Sequence, residues 1–236
     1  MKIKLYESFE HWYYDGTIYV YSDPHFSDSD QKLMDPLWPS DEEQVKMINM
    51  NLGKNDTIIF LGDIGDTSFI QKIKGYKVLI MGNHDKGASN YKKMYTSYLK
   101  SDPDNILFES QDVYEVEAFN IEYFINEYTN DMITYKCNDL FDEVYEGPVM
   151  INDHILLSHE PVDMGFGINI HGHDHSGTPL AKMLNGSTIQ INVCSNIVGY
   201  KKQRLDNLVN GLHYVDIHRK TIDNATIRKS KKKCTE

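Results

Sequence analysis

Three apolar runs open the chain and end alike. "TIYVYSD" (17–23), "DTIIFLGD" (56–63) and "YKVLIMGNHD" (76–85) are rich in β-branched and aromatic residues and stop at clustered polar ones. Each reads as a buried strand. "SDEEQVKMINMNLG" between the first two reads as a helix. Ser40 would be its N-cap, Glu43 would complete a capping box and Gly53 would stop it. "TSFIQKIKG" between the second and third reads as a short helix ending at Gly75. A β-α-β-α-β order implies parallel strands joined by right-handed crossovers. The carboxyl ends of such strands share one edge, where ligands bind. Asp23 and His25, Asp63 and Asp66, and Asn83, His84 and Asp85 are therefore expected to converge.

The later chain is read more coarsely. "SNYKKMYTSYLK" suggests a further helix. Residues 102–147 are acidic, tyrosine-rich and weakly periodic. "GPVMIND" and "HILLSHE" suggest a hairpin turning at Asn152-Asp153. "STIQINVCS" reads as a strand, "KKQRLDNLVNG" as a helix and "LHYVDIH" as a closing strand. Strands parallel early and hairpin-linked late imply two sheets in an α/β or α+β sandwich. Two later strand ends add His159 ("LSHEP") and His171, His173 and His175 ("IHGHDHSG").

Composition narrows the function classes. A length of 236 residues with 40% hydrophobic content suits a single domain over 1–236, with an acidic insert near 102–147 and a mobile basic tail near 228–236. No apolar stretch is long enough for a membrane helix, and the N-terminus lacks the apolar centre of a signal peptide. A cytoplasmic protein without a membrane partner is expected. Cys137, Cys194 and Cys234 are odd in number, widely spaced and free of CxxC pairs, which argues against a disulfide framework or a thiolate zinc site. A net charge of −11 disfavours long nucleic acid as a partner, since each phosphate contact needs a cation. It leaves room for a small phosphorylated substrate, a nucleotide among the candidates.

Carboxylates, an asparagine carbonyl and four or more imidazoles, without thiolates, suit Mn²⁺, Fe, Zn²⁺, Co²⁺ or Ni²⁺. The set is too large for one ion and suits two sharing a carboxylate. Two ions roughly 3.5–4 Å apart clamp phosphate esters. Other residues take plainer readings. Asp66 and His171 are expected to support the site from behind. His11, His154, His213 and His218 have no partner pattern, and Tyr128 and Tyr135 are weak candidates for shaping a pocket.

In order, the blocks are Asp-x-His, Gly-Asp-x-x-Asp, Gly-Asn-His-Asp, a lone His and Gly-His-x-His, over residues 23–175. In this the chain resembles the calcineurin-like metallophosphoesterase superfamily, and its small stand-alone bacterial and phage members in particular. The resemblance implies a four-layer sandwich of two mixed sheets flanked by helices. It implies two divalent transition-metal ions, with Mn²⁺ ahead of Fe, Zn²⁺, Ni²⁺ or Co²⁺. Asp23, His25 and His175 would hold one, and Asn83, His159 and His173 the other, with Asp63 bridging. His84 would face the substrate and Asp85 would orient it. "GDIGDTS" lacks the Asp-Arg-Gly of the protein phosphatases, which disfavours that branch. The expected activity is hydrolysis of a phosphomonoester or phosphodiester, a metal-bridging hydroxide attacking while His84 assists the leaving group. The alternatives are a nuclease, a cyclic-nucleotide or dinucleotide phosphodiesterase, and a non-catalytic scaffold.

Overall fold

A strand buried on both faces needs apolar residues at successive positions, and the first three strands have them. The computed structural model describes residues 16–110, 133–182 and 188–210. Its strands are β1 (Ile18–Tyr21), β2 (Thr57–Phe60), β3 (Tyr76–Ile80), β4 (Tyr95–Leu99), β5 (Ile106–Ser110), β6 (Ile133–Cys137), β7 (Glu143–Tyr145), β8 (Val149–Asn152), β9 (Ile155–Leu157), β10 (Ile168–His171), β11 (Leu180–Lys182), β12 (Ile189–Asn192) and β13 (Gln203–Arg204). Ten of them form two five-stranded mixed sheets, ordered β13-β1-β2-β3-β7 and β11-β12-β10-β9-β8, and the other three a small sheet ordered β5-β4-β6. In the first, β1, β2, β3 and β7 run parallel and β13 antiparallel. In the second, β9, β10 and β12 are parallel and the two edge strands antiparallel.

The sheets face each other across one core. Val20, Ile59, Leu61, Val78 and Ile80 from the first meet Ile155, Leu157, Ile170 and Ile191 from the second, with Leu205 and Val209 closing one side. The opposite face of the first sheet buries Tyr21, Ile58, Phe60 and Leu79 under helix α2 (Asp41–Asn49) and a 3-10 turn at Thr67–Lys72. A short helix, α1 (Gln31–Met34), precedes α2. The α/β sandwich of two mixed sheets is thus the expected one. Among the described residues its helical cover lies over the first sheet. On the second sheet the loop 160–167 is held by side chains of the sheet: Asn169 Oδ1 accepts from the Val162 amide at 2.8 Å, and Gln190 Nε2 donates to the Val162 carbonyl at 2.8 Å.

The capping box of α2 forms as read. Glu43 N donates to Ser40 Oγ, and the Glu43 carboxylate accepts from the Ser40 amide at 3.0 Å. The helix stops at Asn49 rather than near Gly53, because Asn51 takes the left-handed backbone (φ +57°) expected of the glycine. The hairpin β8–β9 turns next to the expected pair, with Asp153 and His154 in the turn.

Two expectations are corrected. "SNYKKMYTSYLK" is not a helix: a short 3-10 turn (Ala88–Asn90) leads into β4, which pairs with β5 and β6 in a separate three-stranded sheet. The pairing outweighs local preference, and Tyr-Thr-Ser-Tyr suits a strand. The short helix read at "TSFIQKIKG" forms as a 3-10 helix over Thr67–Lys72, ending before Gly75. The helix expected across "KKQRLDNLVNG" begins only at 205, since Gln203 and Arg204 pair with β1. The strand "LHYVDIH", the basic tail, Cys234, Tyr128, His11, His213 and His218 lie outside the described residues.

Candidate metal centre

All five polar strand ends meet at one edge of the sandwich. The loops there are laced together through the backbone. Asp23 N bonds to Gly62 O at 3.1 Å and His25 N to Asp63 O at 3.0 Å, while Ser195 N reaches across to Ser22 O at 3.0 Å. Side chains also cross between the sheets. His173 N donates to Asp23 Oδ2 at 3.0 Å, and His159 Nδ1 donates to Leu61 O at 2.7 Å.

The turns are tight enough to need unusual backbone. Asp23, His25, Asp63 and His173 have φ of +55°, +45°, +52° and +64°. Left-handed backbone is unfavourable for residues with a Cβ, and it gathers at functional sites where the surroundings enforce it. Close approach also dictates one glycine. A Cβ on Gly172 would stand 1.9 Å from Ser22 Oγ and 2.1 Å from Asp23 Oδ2, so only glycine lets β10 lead into the site.

Two groups of donor atoms result: Asp23, His25 and His175, and Asp63, His159 and His173. Within the first, the Nε2 atoms of His25 and His175 approach to 3.2 Å, and Asp23 Oδ1 lies 3.9 and 3.6 Å from them. Within the second, His159 Nε2 lies 2.8 Å from Asn83 Oδ1, 3.2 Å from His173 Nδ1 and 3.3 Å from Asp63 Oδ2. Asp63 Oδ2 is also 3.7 Å from His25 Nε2, so one carboxylate oxygen stands between the groups. All seven residues read as ligands are brought together.

The donor atoms fit divalent cations. Asp23 Oδ1 is buried and has no hydrogen-bond partner. A buried carboxylate oxygen without a donor is costly, and a coordinated cation would satisfy it. Burial works against charging His159, yet the Asp63 hydrogen bond and the Asp23 and Asp63 charges push its imidazole up to about 9. Burial likewise opposes charge on Asp63, but His159 holds its carboxyl below the usual range. His25 goes the other way: burial keeps its imidazole neutral despite neighbouring carboxylates, as a ligand must be.

Other residues, which the strand-end motifs do not reveal, aim these ligands. Asp28 Oδ2 takes the Nδ1 side of His25 at 3.2 Å, leaving Nε2 inward. Asn196 Oδ1 lies 3.1 Å from His175 Nδ1, and Asn196 Nδ2 donates to the His175 carbonyl at 2.8 Å. Cys194 Sγ lies 3.2 Å from the same ring nitrogen, its thiol kept protonated chiefly by burial. Partners of this kind fix the tautomer and direction of a metal-binding imidazole. The His-x-x-Asp spacing of His25 and Asp28 was legible in principle; Asn196 lies in the turn beyond β12 with no motif to mark it.

His84 is exposed beside the centre, its ring 5.7 Å from that of His25, and its amide donates to Asp63 Oδ1 at 3.0 Å. Asp85 does not orient the His84 ring. Its carboxylate instead accepts from the amides of Asp63 (2.9 Å), Ile64 (3.1 Å) and Gly82 (2.9 Å), binding the second and third strand ends into one unit. Asp66 caps the 3-10 turn through the Ser68 amide at 2.9 Å. His171 is buried and donates from Nδ1 to Gly172 O at 2.8 Å.

The family model for calcineurin-like phosphoesterases matches residues 16–192. The chain belongs to that family. Comparison with curated proteins returns no match. Among solved structures, this chain is similar to a protein of unknown function from Aquifex aeolicus, with a TM-score of 0.50 and 18% identity over 84% of this chain and 100% of the other. At that identity the likeness speaks for the fold alone. Among the described residues, no helix is long and apolar enough to cross a membrane.

Proposed function

We propose that this phosphoesterase hydrolyses small phosphate esters, monoesters or diesters, at a centre of two divalent transition-metal ions, Mn²⁺ being the leading candidate. The observation that carries the reading is Asp63 Oδ2, placed 3.3 Å from His159 Nε2 and 3.7 Å from His25 Nε2. A carboxylate so placed can serve both donor groups at once. Asp23, His25 and His175 would hold one ion and Asn83, His159 and His173 the other. When bound, such a pair neutralises phosphate charge and supplies hydroxide at neutral pH.

The protein's own residues do the rest. Asp85 keeps the loops of Asp63 and His84 in register through three backbone amides. His84 stands exposed next to the first donor group, where its imidazole can reach an incoming ester. It is placed to give a proton, or a charged hydrogen bond, to the departing oxygen. The net charge of −11 favours a small substrate over a polymer.

The test is a panel of an aryl phosphate, a bis-aryl phosphate, cyclic nucleotides and dinucleotides, offered to protein loaded with Mn²⁺ and to chelator-stripped protein. Metal-dependent turnover of at least one ester, lost in Asp63→Asn, is expected. Loaded protein that turns over none of them, or stripped protein as active as loaded, would overturn the proposal.

A further inference from the structure

The first donor group has an aromatic cover that ligation alone does not require. Trp38 is fully buried, with its ring 5.8 Å from that of His175 and 6.1 Å from that of His25. Its third aromatic neighbour is Tyr200, with ring centroids 5.3 Å apart. Among the described residues, His159 and His173 in the second group pack only on each other's rings.

Tyr200 closes the arrangement. Its hydroxyl donates to Asp35 Oδ2 at 2.5 Å, although the two are far apart in sequence. Asp35 sits at the C-terminal end of α1, one turn before Trp38, whose amide donates to the Asp35 carbonyl at 2.9 Å. Tyr200 ends a turn that starts at Cys194, with φ of +59° and its amide on Ser195 O at 2.7 Å. One hydrogen bond and one edge-to-face aromatic contact therefore join segment 28–38 to segment 194–200. Each segment also carries the group that aims one imidazole: Asp28 on His25, and Asn196 on His175.

We propose that Trp38 and the Tyr200–Asp35 hydrogen bond form a clamp that aims His25 Nε2 and His175 Nε2 at one point, and so sets the metal affinity of the Asp23–His25–His175 group. Trp38, Tyr200 and Asp35 are positioning residues and touch no substrate. The inference rests on the two-metal reading above, and its test separates the two.

Trp12 and Trp38 are the only tryptophans, so Trp12→Phe leaves Trp38 as the sole indole. In that background Co²⁺ bound at the centre should quench Trp38 emission, most strongly from the first group, whose imidazoles lie against the indole. Tyr200→Phe and Asp35→Ala each break the bond while leaving the Trp38 indole in place. Both are expected to raise the Co²⁺ midpoint about tenfold or more, the usual scale for losing a group that supports a ligand. Asp35→Asn keeps an acceptor oxygen and should titrate close to the parent. Tyr19→Phe, which removes a distant hydroxyl bonded to Asn51 O, serves as the control. Melting temperatures of the metal-free variants accompany each titration. Parent midpoints in both bond-breaking variants, or an equal shift in Tyr19→Phe, would overturn the clamp while leaving the two-metal reading intact. No quenching in the parent would overturn both.

Discussion

Asp63 carries more of the site than any other residue, because its two oxygens serve different masters. Oδ2 faces both donor groups and Oδ1 receives the His84 amide. Asp63→Asn keeps the shape and removes the charge, so metal content measured after desalting should fall from near two equivalents and turnover with it. A variant holding both ions as firmly as the parent would exclude the bridging role. His84→Asn should act differently. Its ring is exposed, and its one ring contact among the described residues is edge-to-face with His25, which Asp28 and Trp38 also hold, so metal content and melting temperature should hold while kcat falls by roughly 10²–10⁴. The loss should be larger for an alkyl or nucleoside ester than for a nitrophenyl ester, whose leaving group needs no proton. Equal losses across that series would deny His84 a role in protonation. At this scale the sequence was informative because metal chemistry restricts residue type: Asp, Asn and His at strand ends have few other reasons to cluster. Asp85 was misread for the same reason. Its neighbour His84 suggested a partnership, whereas a buried carboxylate first satisfies nearby backbone amides, and it found three.

The elements differ in how well their residues announced them. α2 was legible because Ser40 and Glu43 satisfy each other's backbone amides locally, independent of the rest of the chain. Ser40→Ala should therefore cost about 1 kcal/mol. In a chain of this length that lowers the melting temperature by about 2–4 °C, with activity retained, as a thermal melt of the metal-loaded variant would show. β1, β2 and β3 were legible because strands covered on both faces are mostly apolar, and Ile58, Ile59, Phe60, Val78, Leu79 and Ile80 are all buried. β4 was not. Its hydrogen bonds go to β5 and to β6, which follows only after residues 111–132, and no window around "YTSYL" contains that partner. The same holds for β13, two residues long and fixed by its pairing to β1.

Among the described residues, the two five-stranded sheets share a core that ends at the candidate centre, so core and site share strands. Leu157 is fully buried between the sheets, two positions before His159. Leu157→Ala should cost about 2–5 kcal/mol through lost contacts and the cavity left behind. It should also weaken metal retention, because β9 carries His159 out to the ligands; unchanged retention in a folded, destabilised variant would separate core from site. Metal should stabilise the fold in return, by about 2.7 kcal/mol when the free ion stands at 100 times its dissociation constant, so chelation should lower the melting temperature measurably. The left-handed backbone of Asp23, His25, Asp63 and His173 has a further consequence. At each of these positions glycine would relieve the turn, by about 1–2 kcal/mol before its own entropic cost is counted. A library screened only for heat resistance without metal should accordingly drift toward glycine at 173, where the side chain is exposed, and discard a ligand in doing so. Resistance to heat and capacity for chemistry are opposing selections at the same four peptide units, and a stabilised descendant of this chain would first have to be checked for whether it still holds its ions.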